Sequence, residues 1–204
     1  MSYMLEENNP FYTVELFEKT IANFYGAKYG VAVDSCTHAI ELCLRHEGYT
    51  NVAIPERTYI SIPFTCKKLG IDWKFEDNKW EEYYYIKNTN IIDGAVMWGE
   101  NTYTPGTYLC LSFQFRKHLS IGRGGMILTD SKVDYEILKK MSYDGRSMHT
   151  NWGDQDIDIM GYHYYLTPEA SKVGLDRFYE VRDITPKKWS YMDYPYLPKM
   201  SVFK

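Results

Sequence analysis

The chain lacks several of the patterns that would settle its class at once. Its four cysteines, Cys36, Cys43, Cys66 and Cys110, form no CxxC pair and no metal-like cluster with histidine, which removes a disulfide scaffold and a zinc ribbon from consideration. Reduced thiols in a cytoplasmic protein are the expectation. No apolar run approaches the roughly 18 residues of a membrane-spanning helix. The first residues, MSYMLEENNP, are acidic and polar and do not read as a leader. There is no basic excess: the net charge is −4, which speaks against a nucleic-acid surface. No internal repeat and no low-complexity linker divides the chain.

What is present is an ordinary soluble composition, 45% hydrophobic and 25% charged over 204 residues, with an unusual wealth of aromatics that includes 20 tyrosines. Such a composition favours a dense core and aromatic surfaces suited to a planar ligand or a partner chain.

Apolar residues at helical spacing, Val14, Phe17, Ile21 and Phe24, predict a helix over 13–24 that Gly26 ends. YGVAVD (29–34) predicts a buried strand, and SCTHAIELCLRHEG a helix entered at Ser35 to Thr37 and closed by Gly48. Further strands are expected at NVAIPE, IDWKFED, YYYIKN, NIIDGAV, TYLCLSF and GGMILTD, with helices over 58–69 and 134–141. Thr167 as N-cap and Pro168 in the first turn open a last helix running to Val181. Strands alternating with helices imply an α/β fold, a three-layer sandwich around a mostly parallel central sheet. In such sheets ligands lie beyond the carboxyl ends of the strands. The polar residues at those ends are Asp34 to Thr37, Arg57 to Tyr59, Asp93, and Ser112 to Lys117.

Lys117 follows an apolar strand and precedes a glycine cluster, Gly122, Gly124 and Gly125. An amine that attacks a carbonyl needs a site that lowers its pKa. Asp93 at a strand end suits a protonated ring nitrogen, and Tyr59 suits the face of a ring. The helix start at Thr37 and His38 offers N–H groups to a phosphate, and Ser112 offers a hydroxyl. Each residue also has an ordinary structural use, as a solvated lysine, a turn aspartate, a core tyrosine or a capped helix start. Together they describe a site for pyridoxal 5'-phosphate.

Their order resembles that of the DegT/StrS-type sugar aminotransferases, pyridoxal-phosphate enzymes of fold type I. SFQFRK followed by GRGG resembles the family's Ser-Phe-His-x-x-Lys and Gly-Glu-Gly-Gly. VAVDSCTHAIEL is similar to its Val-Ala-Val-x-Ser-Gly-Thr segment. IPERTYIS, IIDGAVMWGE, MSYDGRS and GYHYYLTPEASKVGLDRF resemble later ones. The resemblance spans roughly Phe11 to Val181. It implies that Lys117 carries the cofactor and moves protons, and that Asp93 holds the ring nitrogen. It further implies that Cys36, Thr37, His38, Tyr59, Ser112 and Gln114 complete the cofactor site, with His163 supplied by the second copy of a homodimer. Substrate candidates are Arg57, Arg116, Arg123 and Tyr165, with Arg146 as a further cation. The implied substrates are a nucleotide-linked keto-sugar and an amino acid, glutamate in relatives.

Departures from the pattern are Gln114 for histidine, Arg123 for glutamate, Val96 near Asp93, and His163 and Tyr165 for Asn and Arg. A strand and helix before Asp93 are missing, and residues 182–204 are expected to form an aromatic, proline-bearing tail behind a compact domain over 1–181 in place of the small C-terminal domain. Other readings are a dehydratase that uses pyridoxamine phosphate and carries histidine at the lysine position, a non-catalytic descendant, or another fold-type-I activity such as a lyase.

Overall fold

The computed structural model describes residues 8–204; residues 1–7, part of the segment expected not to be a leader, lie outside the described residues. The chain opens with α1 (Tyr12–Tyr25), which Gly26 ends in the left-handed region at φ 80°, its N–H bonded to Ala22 and Asn23 carbonyls. Strand β1 (Tyr29–Val33) leads into α2 (Cys36–Glu47), capped by the Ser35 side chain. Next come β2 (Asn51–Pro55), α3 (Ser61–Leu69) and β3 (Asp72–Glu76). Three short elements, β4 (Tyr84–Tyr85), β5 (Ile91–Asp93) and β6 (Tyr108–Ser112), precede β7 (Gly125–Thr129). Helices α4 (Lys132–Ser142) and α5 (Pro168–Val181) follow, the last capped by Thr167 as the sequence predicts. The predicted helix over 58–69 begins later, at Ser61, after an extended stretch through Thr58.

The main sheet has the order β1-β7-β6-β5-β4, and β2 and β3 form a second, two-stranded sheet. A bridge between Ala53 and Lys87 joins the two. Period-2 burial feeds two cores from one sheet. Val31, Val33, Cys110 and Ile127 belong to the core shared with α2 and α4. Ala32, Leu109, Leu111, Met126 and Leu128 belong to the core shared with α1 and α5. The result is three layers. On the second face α5 presses so closely on α1 that a Cβ at Gly174 would lie 2.6 Å from the Phe17 ring.

The sheet corrects the expectation of mostly parallel strands: it is mixed. β5–β6 and β2–β3 are parallel, whereas β1–β7, β6–β7 and β4–β5 are antiparallel. A parallel pair needs a crossover of about a dozen residues or more. The link from β4 to β5 runs only from Ile86 to Asn90. With no helix to carry the chain back, β4 turns round and pairs antiparallel, Tyr84 opposite Asp93.

Residues 182–204 lie against the domain. The N–H of Tyr191 bonds to the carbonyl of Trp80, that of Leu197 to Glu56, and Arg57 Nη1 donates to the Tyr194 carbonyl at 2.8 Å. Leu197 is 0% exposed, and the Phe203 ring packs on Phe64, Trp73 and Phe75.

Candidate active site

A cavity of about 670 Å³ opens at the carboxyl ends of β1, β5 and β6. That size suits a ring-bearing small molecule. Lys117 and Asp93, well separated in sequence, both line it. Lys117 sits in the segment that returns from β6 to β7. There the N–H of Phe115 bonds to the Gly122 carbonyl, and that of Ile121 to Phe113. Gly122 has φ 87°, a backbone that only glycine adopts without strain. Gly125 is required for a different reason. A Cβ there would lie 2.4 Å from the Ser35 carbonyl carbon and 2.5 Å from the Cys36 nitrogen. The glycine cluster therefore lets β7 close on the start of α2.

Burial pulls the Lys117 ammonium below the ordinary lysine range, while the Asp93 charge opposes that shift. Asp93 is 6% exposed. Burial raises its carboxyl; the Tyr84 hydrogen bond, the Ala95 N–H, the Lys117 charge and the Cys36 thiol pull the other way. Its Oδ2 accepts from the Tyr84 hydroxyl at 2.5 Å, and its Oδ1 from the Ala95 N–H at 3.0 Å. Cys36 Sγ lies 3.9 Å from Oδ1. Burial, then the Asp93 charge, push that thiol well up, so it remains protonated.

The same cavity also offers donors to an anion. Ser35, Cys36 and Thr37 line it at the start of α2. The first N–H groups of a helix have no intrahelical acceptor and lie at its positive end. Thr37 Oγ1 pairs with Ser61 Oγ at 2.8 Å. Ser112 and Gln114 also line this wall. Tyr59 stands at the rim, 60% exposed. Arg116 and Arg123 line the cavity as well, Arg123 paired with Asp34 at 2.8 Å. An amine with a lowered pKa, a buried carboxylate and a hydroxyl-lined helix start around one cavity fit a phosphorylated pyridine aldehyde.

Other candidates lie elsewhere. The His38 ring is bonded to Asp34 at 2.5 Å and stacked on Tyr164 at 3.6 Å, and its side chain does not line the cavity. Its N–H is spent on the Ser35 cap. Arg57 anchors the tail through Tyr194. Arg146 lies between the Tyr143 and Trp152 rings. His163 is paired with Asp144 at 2.8 Å, and Tyr165 packs on Phe11 and Tyr143; neither lines this chain's cavity. His46, Glu47 and Asp134 bring ligand atoms within 4.8 Å of one another, but none of them lines the cavity and their bonds go to each other and to Tyr108.

Sequence reasoning missed one wall altogether. Trp189 and Tyr194 of the tail, with Trp80 and Tyr84, complete the cavity. A smaller adjoining hollow of about 110 Å³ is lined by Arg116, Lys117, His118 and Lys187 beside Trp98 and Trp189. The aromatic density of YYYIKN and of the tail was the only available signal, and it carried no position.

Residues 9–91 and 93–194 match the DegT/DnrJ/EryC1/StrS aminotransferase family. A GDP-perosamine synthase of Escherichia coli O157:H7 is 26% identical over 100 residues, which is 49% of this chain and 27% of that protein. Among solved structures, AtS13 from Actinomadura melliaura superposes with a TM-score of 0.74 at 19% identity, covering 83% of this chain and 60% of that one. The sugar aminotransferase CalS13 from Micromonospora echinospora gives 0.71 at 16%, with the same coverage of both chains. The chain thus spans about a quarter of its curated relative and three-fifths of these structures. Among the described residues no helix is long and apolar enough to cross a membrane.

Proposed function

Because this chain belongs to the DegT/DnrJ/EryC1/StrS aminotransferase family, we propose that its cavity holds pyridoxal 5'-phosphate and serves amino transfer to a keto-sugar. The observation that carries this reading is the meeting of Lys117 and Asp93 in one cavity.

Bound there, pyridoxal phosphate supplies a carbonyl for amines and a ring that accepts electron density. Lys117 Nζ, whose pKa burial lowers from the ordinary lysine range, is the group that takes and returns a proton. Asp93, its carboxyl raised by burial while its hydrogen bonds and the Lys117 charge favour the ionised form, is the group that holds the proton of the ring nitrogen. The N–H groups at the start of α2, with Thr37, Ser112 and Gln114, bind the phosphate. Tyr59 covers the ring from the rim. Trp189 excludes water from the amine.

The finer assignments follow from charge. A nucleotide-linked sugar brings phosphates, and an amino-acid donor such as glutamate brings carboxylates. Arg116, Arg123 and Lys187 offer cations at the cavity and its adjoining hollow. His163 and Tyr165 lie outside this chain's cavity; the family resemblance assigns them to a second copy's site, so a homodimer belongs to the proposal. Against the dehydratase alternative, Lys117 lines the main cavity whereas His118 bonds through Nε2 to the Val181 carbonyl at 2.9 Å.

The test is chemical. Incubation with pyridoxal phosphate and then borohydride is expected to fix the cofactor on the peptide that contains Lys117. Addition of glutamate before reduction is expected to convert the bound cofactor to its amine form. A cofactor fixed on another lysine, or none fixed at all, ends the reading. A cofactor fixed on Lys117 that no amino acid converts leaves a binding protein in place of an enzyme.

A further inference from the structure

Tyr84 enters the site through the one feature of the sheet that the short connection imposes. β4 pairs antiparallel to β5, and Tyr84 and Asp93 are direct partners in that ladder. Directly opposed residues project to the same face of a sheet, so their side chains meet. Tyr84 is 5% exposed, Thr58 1% and Asp93 6%. The Tyr84 hydroxyl donates to Asp93 Oδ2 at 2.5 Å, and it lies 2.6 Å from Thr58 Oγ1. A phenol has one proton to give. That proton is committed to the carboxylate, so Thr58 is the donor to Tyr84. The order of donation is Thr58 to Tyr84 to Asp93.

The other carboxylate oxygen is held by the Ala95 N–H and, more weakly, by Cys36. A carboxylate offers about four lone-pair sites. Tyr84, Ala95 and Cys36 occupy three of them, so both oxygens are pinned and one direction remains open in a cavity-lining side chain.

We propose that Tyr84 is a positioning residue for Asp93: braced by Thr58, its hydroxyl fixes the carboxylate so that the remaining lone pair faces the ring nitrogen of the cofactor, an inference that rests on the cofactor reading above. Tyr84 gives its hydroxyl proton to Asp93. It acts through Asp93. A buried carboxylate without this partner would rotate, or would take up a proton and lose its hold on the ring N–H.

The experiment uses the full chain and Tyr84→Phe, which keeps the ring that packs on Trp80, with Thr58→Val as a second variant. Pyridoxal phosphate affinity is read from quenching of tryptophan fluorescence. Y84F is expected to bind about tenfold more weakly, because a carboxylate that is not held must be oriented when the cofactor binds, at a cost of about 1.4 kcal/mol. T58V is expected to lose less, and the double variant no more than Y84F alone, because the two act in series. In the cofactor-free protein, the Asp93 carboxyl, followed by carbon NMR, is expected to titrate at higher pH in Y84F. A purely structural role would lower the melting temperature without weakening cofactor binding to the folded protein. Unchanged or tighter binding by Y84F, with the wild-type protein binding normally, overturns the inference and makes Tyr84 a bystander or a competitor for the ring. Failure of the wild-type protein itself to bind overturns the cofactor reading, and this inference with it. If Y84F does not fold, T58V decides: affinity equal to wild type overturns the proposal.

Discussion

Nζ of Lys117 lies 5.6 Å from the centre of the Trp189 ring, and the Lys187 ammonium lies 3.6 Å from the same centre. The amine that sits beyond the end of β6 is thus roofed by an indole from the C-terminal tail. Burial is the first cause of the lowered Lys117 pKa, and part of that burial comes from the tail.

Removing the roof should therefore be visible in the amine. Trp189→Ala admits water and lets Lys117 keep its proton to higher pH. Loss of the ring as a cation–π partner acts the other way but is weaker than desolvation, about 0.5–1 kcal/mol at a partly exposed site. The expected outcome is an alkaline shift of the pH at which borohydride begins to trap cofactor. The measurement is the yield of modified peptide against pH for the two proteins. An unshifted or acid-shifted profile contradicts this account.

Lys117→Met should abolish trapping and, at neutral pH, stabilise the fold. A lysine whose folded pKa lies below its unfolded value costs nothing above about pH 10.4, where both states are neutral. As pH falls, the unfolded chain binds the proton first, and stability is lost until the folded pKa is passed. The melting temperature of the variant should exceed that of the wild type at pH 7, and the gap should close toward pH 10 and above. Thermal scans across that range check it.

Gly125→Ala should be among the most damaging small changes. Its Cβ would fall on backbone atoms of Ser35 and Cys36, which have no flexible end to move aside. Overpacking of this kind costs roughly 1–3 kcal/mol. Here the displaced backbone is also the anion-facing start of α2. Urea unfolding should show the stability loss, and phosphate-bearing cofactor should bind more weakly than to a Gly153→Ala variant, an exposed position whose added Cβ meets nothing within 4 Å.

Leu197→Ala tests whether the tail belongs to the fold. Its side chain is 0% exposed, so truncation should cost about 2–5 kcal/mol. Limited proteolysis should then cut within residues 182–204 before it cuts the domain. A variant as stable as wild type would show that the tail adds nothing to the core.

Much of this was legible in the chain. Helix ends were marked by Gly26, Gly48, Thr167 and Pro168, because caps are local chemistry. That Lys117, Asp93 and Ser112 would line one cavity was legible from a general rule, that ligands gather at the carboxyl ends of strands in α/β sheets. His38 was misplaced because a helix start gives the position of a side chain and not its direction, and the ring turned to Asp34 and Tyr164. The direction of β4 was not legible either. It is a two-residue strand, too short for periodicity to speak, and its sense is set by how little chain separates it from β5.

What the sequence determined by itself, then, was the succession of elements, their caps and the order of the chemical groups, because each of these rests on neighbours within a few residues. Only the tertiary structure decided that the sheet is mixed, that Tyr84 stands against Asp93, and that the aromatic tail roofs Lys117. Those outcomes depend on hydrogen bonds and packing between segments far apart in the chain, such as Trp80 with Tyr191 and Arg57 with Tyr194, and no local pattern encodes which distant surface a buried aromatic will meet.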